Sequence, residues 1–229
     1  MFDFTQTRLS WRRPIQSYSK VQRLLSALLR NRKFHLRQSS IQTKDFLDVG
    51  CGSHVHDNFI NLDYGWHPGI DICWDITRGI PLPDNAVRGI FTEHCLEHLT
   101  LQQTDQVVLP EFFRVLKPGG TVRIIVPDGE LYLTRYGERI DGGTEVMPYA
   151  DGDIYCGLYS SIMSVNRIFR GHDHKFIYDF ATLRLLLQKH LFVDVHQESY
   201  GHGREPALLI DTEFRMVESL YVEATKPFC

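Results

Sequence analysis

The stretch Phe46-Leu47-Asp48-Val49-Gly50-Cys51-Gly52 limits the fold more than any other part of the chain. A buried parallel strand reads as a short apolar run, and glycines allow a tight turn where backbone approaches a ligand. In open α/β sheets, ligands bind outside the carboxyl ends of the strands. The stretch therefore predicts a central first strand over residues 45–49, followed by a cofactor-binding loop over residues 50–53.

Further apolar segments alternate with helical patterns along the chain. This alternation is typical of a doubly wound, Rossmann-like α/β sheet. The gap from Gly52 to Phe59 is too short for an ordinary crossover helix, so we expect a shortened first crossover. A helix is predicted over residues 103–116, where Lys117-Pro118-Gly119-Gly120 ends it. The next strands are predicted at Phe59–Asp63, Ile70–Asp75, Val87–Thr92 and Thr121–Val126.

The last third of the sequence predicts a lid and an antiparallel edge. Residues 129–173 lose periodicity and are rich in tyrosine and glycine, which favours an insertion of about residues 129–175 beside the ligand cleft. Its tyrosines suit stacking on a sugar or a planar ring, and the alternative is that they are simply core residues. A helix over 180–190 precedes strands over 192–198 and 220–225. No clear helix separates these strands, so we expect an antiparallel edge strand.

Charge is unevenly distributed although the net charge is only −3. Residues 1–40 hold nine Lys and Arg against one acid, so the remainder is acidic. From Ser17, leucines at helical spacing predict a basic amphipathic helix within an N-terminal arm over residues 1–43. This helix fits three roles: contact with an anionic membrane surface or a phosphorylated substrate, a transit peptide, or packing of its leucines on the domain.

The cysteines indicate the redox state of the compartment, and the hydropathy bears on whether the chain crosses a membrane. Five scattered cysteines without a C-x-x-C pair indicate a reducing, cytoplasmic compartment and no structural zinc site. No apolar run is long enough to cross a bilayer. The acidic body argues against nucleic acid as a partner, because phosphate binding requires a positive groove.

The glycine loop also constrains the cofactor. Dinucleotides need a third glycine and a helix N-terminus for the pyrophosphate, and neither follows Gly52. A cofactor without phosphates needs only close backbone approach and an acid for the ribose hydroxyls. Asp63, at the end of the second predicted strand, is placed for that role because one carboxylate can accept from two vicinal hydroxyls.

Several motifs in a set order carry a family resemblance. They are Asp48-Val-Gly-Cys-Gly52, Asp63, Asp75, Pro81-Leu-Pro-Asp-Asn85, Glu93-His-Cys-Leu-Glu-His-Leu99 and Leu116-Lys-Pro-Gly-Gly120. Together they resemble the class I S-adenosylmethionine-dependent methyltransferases of the small-molecule group, over roughly residues 44–226. The stretches His174–Tyr178 and Glu218–Glu223 look like a subset associated with bacterial polysaccharide gene clusters. The resemblance implies seven strands and a methyltransferase domain over residues 44–229.

The resemblance also implies roles for individual residues. Backbone at Gly50, Cys51 and Gly52 would approach the methionine moiety of S-adenosyl-L-methionine, whose ammonium Asp48 would support. Other residues would bind the nucleoside or stand where the sulfonium methyl points. Those for the ribose are Asp63 and Tyr64, those for the adenine are Asp75 and Ile76, and those near the methyl are Glu93 and His94.

A hydroxyl or amine acceptor benefits from a general base, usually histidine. The candidates are His94 after the fourth strand, His172 and His174 beyond the predicted lid, and Asp128 after the fifth strand. His94-Cys-Leu-Glu97-His98 also matches the H-x-x-E-H zinc signature. That signature requires one continuous helix, whereas a strand is predicted up to Thr92, so we predict no metal ligands.

The sequence therefore predicts methyl transfer to a small-molecule or glycan acceptor, through oxygen. Alternatives are a nucleic-acid methyltransferase and a methyltransferase-like module that binds without catalysis. The missing helix after Gly52 departs from the family pattern at the methionine pocket.

Overall fold

A computed structural model describes residues 19–33, 38–142 and 146–228 of the chain. Its centre is one seven-stranded sheet. The strands are β1 Phe46–Val49, β2 Phe59–Asp63, β3 Ile72–Cys73, β4 Val87–Glu93, β5 Leu116–Pro127, β6 Val193–Glu198 and β7 Ser219–Thr225.

The strand order is β3-β2-β1-β4-β5-β7-β6, with β1 to β5 mutually parallel. The order reverses between β1 and β4, which is the topological switch point where ligands bind in such sheets. β7 runs antiparallel to β5, and the edge strand β6 runs antiparallel to β7. The predicted seven-stranded α/β sheet with an antiparallel edge strand is confirmed.

Seven helices lie in the described residues. They are α1 Lys20–Leu29, α2 Gln38–Thr43, α3 Leu101–Gln103, α4 Leu109–Val115, α5 Gly129–Ile140, α6 Ser161–Arg170 and α7 Phe180–Lys189. A π-helical segment over Thr104–Val108 joins α3 to α4, so residues 101–115 form one continuous helical stretch. As predicted, residues 50–58 form turns without a crossover helix.

The sheet is buried on both faces. All four residues of β1 are buried, and so are most residues of β4 and β5. Leucine, isoleucine and valine side chains from β1, β4 and β5 share one core with α4 and α7. A parallel sheet of this kind holds its strand ends at fixed positions, which gives the loops at the carboxyl edge a rigid base.

Two predictions about the elements were wrong. The third strand was predicted over six residues, but the ladder covers only Ile72 and Cys73. Residues 129–173 were predicted to lack periodicity, yet they include α5 and α6. α5 contains glycine and charged residues, and the buried residues of α6 include Ser161 and Ser164, so burial in these helices does not follow an apolar stripe. The Asp128 carboxylate accepts from the Leu131 N–H at 3.1 Å and caps the start of α5.

The basic N-terminal helix is present as α1, and only part of its apolar surface packs on the domain. Leu29 packs against a buried cluster of the domain and Leu25 is half-buried, whereas Val21, Leu24 and Leu28 are exposed. The buried Ser26 Oγ accepts a hydrogen bond from the Trp66 N–H at 2.7 Å, which holds this side of α1 against the loop after β2. The expectation that the leucines pack on the domain therefore holds for only some of them. Contact with a membrane surface stays a prediction, and residues 1–18 of the arm lie outside the described residues.

Among the residues that the structure describes, we find no helix with the length and apolar character needed to traverse a bilayer.

Candidate active site

A cleft of about 1950 Å³ opens at the carboxyl ends of β1, β2, β3 and β4. Its lining includes every residue that the resemblance connects with the cofactor. These are Asp48, Gly50, Cys51, Gly52, Asp63, Tyr64, Asp75, Ile76, Glu93 and His94. Acids from three neighbouring strand ends thus lie on one edge of the sheet.

The glycine loop forms the floor of the cleft beneath strand β4's carboxyl end. Gly50 has φ +78°, and a Cβ at this position would lie 2.6 Å from Cys95 Sγ. Side chains rarely adopt this backbone conformation, so only glycine fits here without strain. The Gly50 N–H donates to the Leu62 carbonyl at 2.8 Å, which fixes the loop to β2.

Asp63 shapes the loop as well as facing the cleft. Its Oδ2 accepts from the Gly52 N–H at 2.9 Å, and its Oδ1 accepts from the Gly65 N–H at 2.6 Å. Burial raises the pKa of Asp63 although these two amides act in the opposite direction. Each carboxylate oxygen has a second lone pair, so Asp63 can still accept from a ligand hydroxyl.

Asp75 and Tyr64 form the outer wall of the cleft, next to α1. Asp75 Oδ1 accepts from the Thr77 N–H at 3.0 Å and the Thr77 hydroxyl at 2.7 Å, which caps a 3₁₀ turn. The Asp75 N–H donates to Asn31 Oδ1 at 2.9 Å. The Arg30 guanidinium stacks 3.4 Å from the centre of the Tyr64 ring. Residues just after α1 therefore help to build this wall.

The charge balance of the cleft is negative. Asp48 is buried, and this burial, together with the neighbouring Glu93 and Asp63, holds the pKa of Asp48 well above its usual range. Within the described ranges 19–33, 38–142 and 146–228, no Lys, Arg or His nitrogen lies within 4.0 Å of the carboxylates of Asp48, Asp63 or Asp75. Among the described residues, therefore, none of these three acids has an ion-pair partner within 4.0 Å, although the charges of His67 and Arg30 act on Asp63 from further away and favour its ionised form.

Glu93 and His94 end β4 and connect it to distant parts of the chain. Glu93 Oε1 accepts from the Thr212 N–H at 2.9 Å. His94 has φ +48°, and its Nε2 lies 2.8 Å from Ser219 Oγ. Burial and the nearby Arg215 guanidinium hold the pKa of His94 well below its usual range, so its ring is neutral at physiological pH.

Of the other three candidate bases, His172 lines the cleft, whereas Asp128 and His174 do not. Asp128 caps α5 and is absent from the residues that line the cleft, so the structure does not place it as a base there. His174 is also outside the lining. Its Nδ1 lies 2.7 Å from the Ile168 carbonyl, and its pKa is lowered to about 4, mainly by burial.

The far side of the cleft is formed by segments in which the sequence analysis named no individual site residue. Part of the predicted lid contributes, including Tyr155 and Arg167, and the segment around Thr212 and Arg215 closes the opposite wall. Tyr132, by contrast, is fully buried and belongs to the core. No short-range pattern marks Thr212, because it meets Glu93 across 119 positions of sequence.

Glu97 and His98 also lie at this side, on a 3₁₀ turn over Leu96–His98. Glu97 is fully buried, and burial raises its pKa to about 8. The H-x-x-E-H spacing was the sequence signal for this pair. His94, with its positive φ, precedes the turn, so the motif does not lie on one continuous helix.

Comparisons with known proteins find one matching family and several similar solved structures. Residues 56–124 match the family described as "Methyltransferase domain". No curated protein matches the chain. A SAM-dependent methyltransferase from Archaeoglobus fulgidus is similar in structure at 16% identity and a TM-score of 0.49, covering 90% of this chain and 94% of that one.

A second similar structure is phosphoethanolamine N-methyltransferase 2 of Haemonchus contortus in complex with S-adenosyl-L-methionine. It shares 13% identity at a TM-score of 0.47, covering 82% of this chain. The alignment spans 49% of the Haemonchus protein, about half of its length. The present chain thus contains a segment that matches a methyltransferase domain, within a seven-stranded α/β sheet whose cleft gathers the predicted acids.

Proposed function

We propose that the protein is an S-adenosyl-L-methionine-dependent methyltransferase that acts on a small-molecule or glycan acceptor at oxygen. The observation that carries the proposal is the cleft with three acids, none of which has an ion-pair partner within 4.0 Å among the described residues. S-adenosylmethionine brings an ammonium and a sulfonium against one carboxylate, and a ligand with this net positive charge suits buried acids without close ion pairs.

The residues present fit this cofactor. Gly50 and Gly52 line the cleft and carry no side chain, so the methionine end can approach the backbone of this loop. Asp48 would face the ammonium, Asp63 the ribose hydroxyls, and Asp75 the adenine amino group. When bound, the cofactor supplies an electrophilic methyl group, and the protein's part is to align the acceptor oxygen with it.

The position of His94 in the cleft supports an acceptor that carries a hydroxyl group. Methyl transfer to a hydroxyl forms an O–C bond, breaks the C–S bond, and releases a proton that a nearby group must take. Neutral histidine is suited to that task, and His94 lines the cleft between the acids and the lid segment. The cleft is larger than the roughly 300–1000 Å³ of common ligand pockets, which leaves room for both substrates.

The cellular setting remains part of the proposal. Cys51, Cys73, Cys95 and Cys156 are free thiols, which supports a reducing, cytoplasmic compartment. The resemblance to the subset found with polysaccharide gene clusters supports a sugar as acceptor.

The test is incubation with methyl-labelled S-adenosylmethionine and a fractionated cell extract. We expect label in the glycan or small-molecule fraction, in a linkage that survives mild base as a methyl ether does. Label confined to nucleic acid would contradict the acceptor class. Absence of label from every fraction, with cofactor binding intact, would favour the non-catalytic alternative.

A further inference from the structure

The Glu97 side chain is a buried carboxylate without a donor. It is about 1% exposed, and neither Oε1 nor Oε2 has a hydrogen-bond partner among the described residues. Leaving a carboxylate buried and unpaired is costly, and proteins rarely do so without a functional reason. The groups around Glu97 indicate what occupies this position.

Three histidine nitrogens surround one oxygen of Glu97. His94 Nδ1 lies 3.6 Å from Glu97 Oε1, His98 Nε2 lies 3.9 Å from it, and His174 Nε2 lies 4.0 Å from it. Backbone hydrogen bonds position the last of these. The N–H groups of Lys175 and Phe176 donate to the Glu97 carbonyl, which holds the segment that carries His174 against the 3₁₀ turn.

The hydrogen bonds of His174 determine which nitrogen faces Glu97 with a lone pair. A backbone carbonyl can only accept, so the 2.7 Å contact of Nδ1 with the Ile168 carbonyl places the proton on Nδ1. In the neutral ring, Nε2 then directs a lone pair toward Glu97. This arrangement, in which a carbonyl fixes the tautomer from outside, is typical of histidine metal ligands.

A hydroxyl group fixes the tautomer of His94 in a similar way. Ser219 Oγ donates to the Arg215 carbonyl at 2.8 Å, so it accepts from His94 Nε2–H, also at 2.8 Å. His94 Nδ1 then carries a lone pair toward Glu97 Oε1. Lone pairs of two imidazoles thus face one carboxylate oxygen of Glu97, and no other described side chain donates to that carboxylate. A proton on Glu97 itself would satisfy only one of these contacts, whereas a bound cation would satisfy the ligand atoms together.

A cation resolves this convergence. One ligand atom from each of Glu97, His98 and His174 lies within 4.8 Å of the other two. Donors about 2.1 Å from a tetrahedral metal lie about 3.4 Å apart, so small side-chain rotations would close the site. Among Lys and Arg nitrogens of the described residues, none lies within 4.0 Å of the Glu97 carboxylate.

A second His/Glu group serves as an internal comparison. His196, Glu198 and Glu223 also lie close together, but their carboxylates already have donors. Glu223 Oε1 accepts from Arg123 at 2.9 Å, Glu223 Oε2 accepts from the Arg204 N–H at 2.8 Å, and Glu198 pairs with His196 at 2.8 Å. That group is satisfied without a metal, whereas the group around Glu97 is not.

We propose that Glu97, His98 and His174, with His94 beside them, bind one divalent first-row transition-metal ion. Two or more imidazoles with one carboxylate suit Zn²⁺, Co²⁺, Fe²⁺ or Mn²⁺ better than Ca²⁺, which prefers oxygen ligands alone. The result differs from the sequence expectation of no metal ligands, because the site forms by a turn and a distant segment rather than on one helix.

The location gives the metal a role that rests on the proposed function. His94 and His98 line the cleft, and His98 is 39% exposed, so a remaining coordination position faces the acceptor side. A metal held there would act as a Lewis acid: it would bind an acceptor hydroxyl and lower its pKa, so that the proton would leave to solvent and the oxygen would face the cofactor methyl. Acceptors with neighbouring hydroxyls, as in sugars, fit such a centre best.

The test uses the full-length protein, stripped with a chelator and titrated with Co²⁺ and Zn²⁺. We expect one equivalent of Co²⁺ to produce visible ligand-field absorption that Zn²⁺ displaces. Glu97→Gln is expected to weaken binding at least a hundredfold, and the matched control His196→Gln to leave it unchanged. Binding that Glu97→Gln retains, or that His196→Gln abolishes, would overturn the proposal, as would no binding by the wild type.

Two further measurements keep the result interpretable. His98→Gln, at a partly exposed position, replaces Glu97→Gln if the buried substitution prevents folding, and it is expected to weaken binding at least tenfold. Titration with S-adenosylhomocysteine, monitored by calorimetry, is run in parallel. Metal binding without nucleoside binding would support the metal site and contradict the proposed function, while the reverse result would overturn the metal site alone.

Discussion

Asp48 shows how a single carboxyl couples the cleft to stability. It is buried beside Glu93 and Asp63, and these neighbours and the burial raise its pKa. An acid with a raised folded-state pKa binds its proton more tightly in the folded protein. Its contribution to stability is therefore present at low pH and is lost as pH rises above the ordinary value near 3.8 toward the folded-state pKa.

We predict that Asp48→Asn reduces the loss of unfolding free energy that rising pH causes. As pH rises above the ordinary value near 3.8, the unfolding free energy of the variant is expected to gain on that of the cofactor-free wild type, because the variant has no proton to lose at this position. Urea unfolding at several pH values measures the difference. If the unfolding free energies of the two proteins change in parallel as pH rises, then folding does not raise the pKa of Asp48.

His94 illustrates what sequence reasoning about single residues can and cannot reach. Its position after β4 was predictable, because the strand and its end are visible in the apolar pattern. Its positive φ and its contact with Ser219, 125 residues away, were not. That contact favours the tautomer with its proton on Nε2, which leaves the lone pair of Nδ1 facing Glu97. The hydrogen-bond partner of His94 therefore determines which of its nitrogens can accept a proton or bind a ligand.

The glycine loop is the element on which the cofactor half of the cleft depends. At Gly50, an added methyl group would meet Cys95 Sγ at 2.6 Å, and the backbone has a φ that L side chains rarely adopt. We predict that Gly50→Ala costs about 2–4 kcal/mol of unfolding free energy, from the left-handed conformation and from overpacking. Urea unfolding measures this loss.

Gly137→Ala is the matched control for that loop prediction. Gly137 lies in α5 without a positive φ, and a Cβ there meets no atom within 4 Å. Alanine in a helix interior is favoured over glycine by roughly 0.5–1 kcal/mol, so this variant is expected to be slightly stabilised. If both substitutions have the same effect, the steric account of Gly50 fails.

Elements were predictable where periodicity is strong and hidden where it is weak. β1, β2, β4, β5 and α7 follow apolar patterns that a sequence displays directly. α5 and α6 are less direct, because α5 carries glycine and charged residues and α6 buries Ser161 and Ser164 while Ile162 is exposed. In α1, the leucine spacing predicts a helix but does not indicate which face packs. Ser26 and Leu29 both contact the domain there, and Val21, Leu24 and Leu28 do not pack on it.

At the level of the whole chain, the cleft joins parts that are far apart in sequence. One half is built by short segments between Asp48 and Thr77, and these were predictable because the motifs keep a fixed order. The other half combines the lid segment with residues 210–215, and tertiary packing alone brings them together. A single sequence therefore indicates the cofactor half far better than the acceptor half.

Calorimetric titration with S-adenosylhomocysteine tests the central claim most directly. The wild type is expected to bind one equivalent. Asp63→Asn should bind about ten- to a hundredfold more weakly, because it loses an acceptor for the ribose and for the loop amides. Asp57→Asn, an exposed substitution in the same β1–β2 loop but outside the cleft lining, should bind like the wild type. No heat from the wild type at millimolar ligand, or equal affinity in all three proteins, would contradict the account.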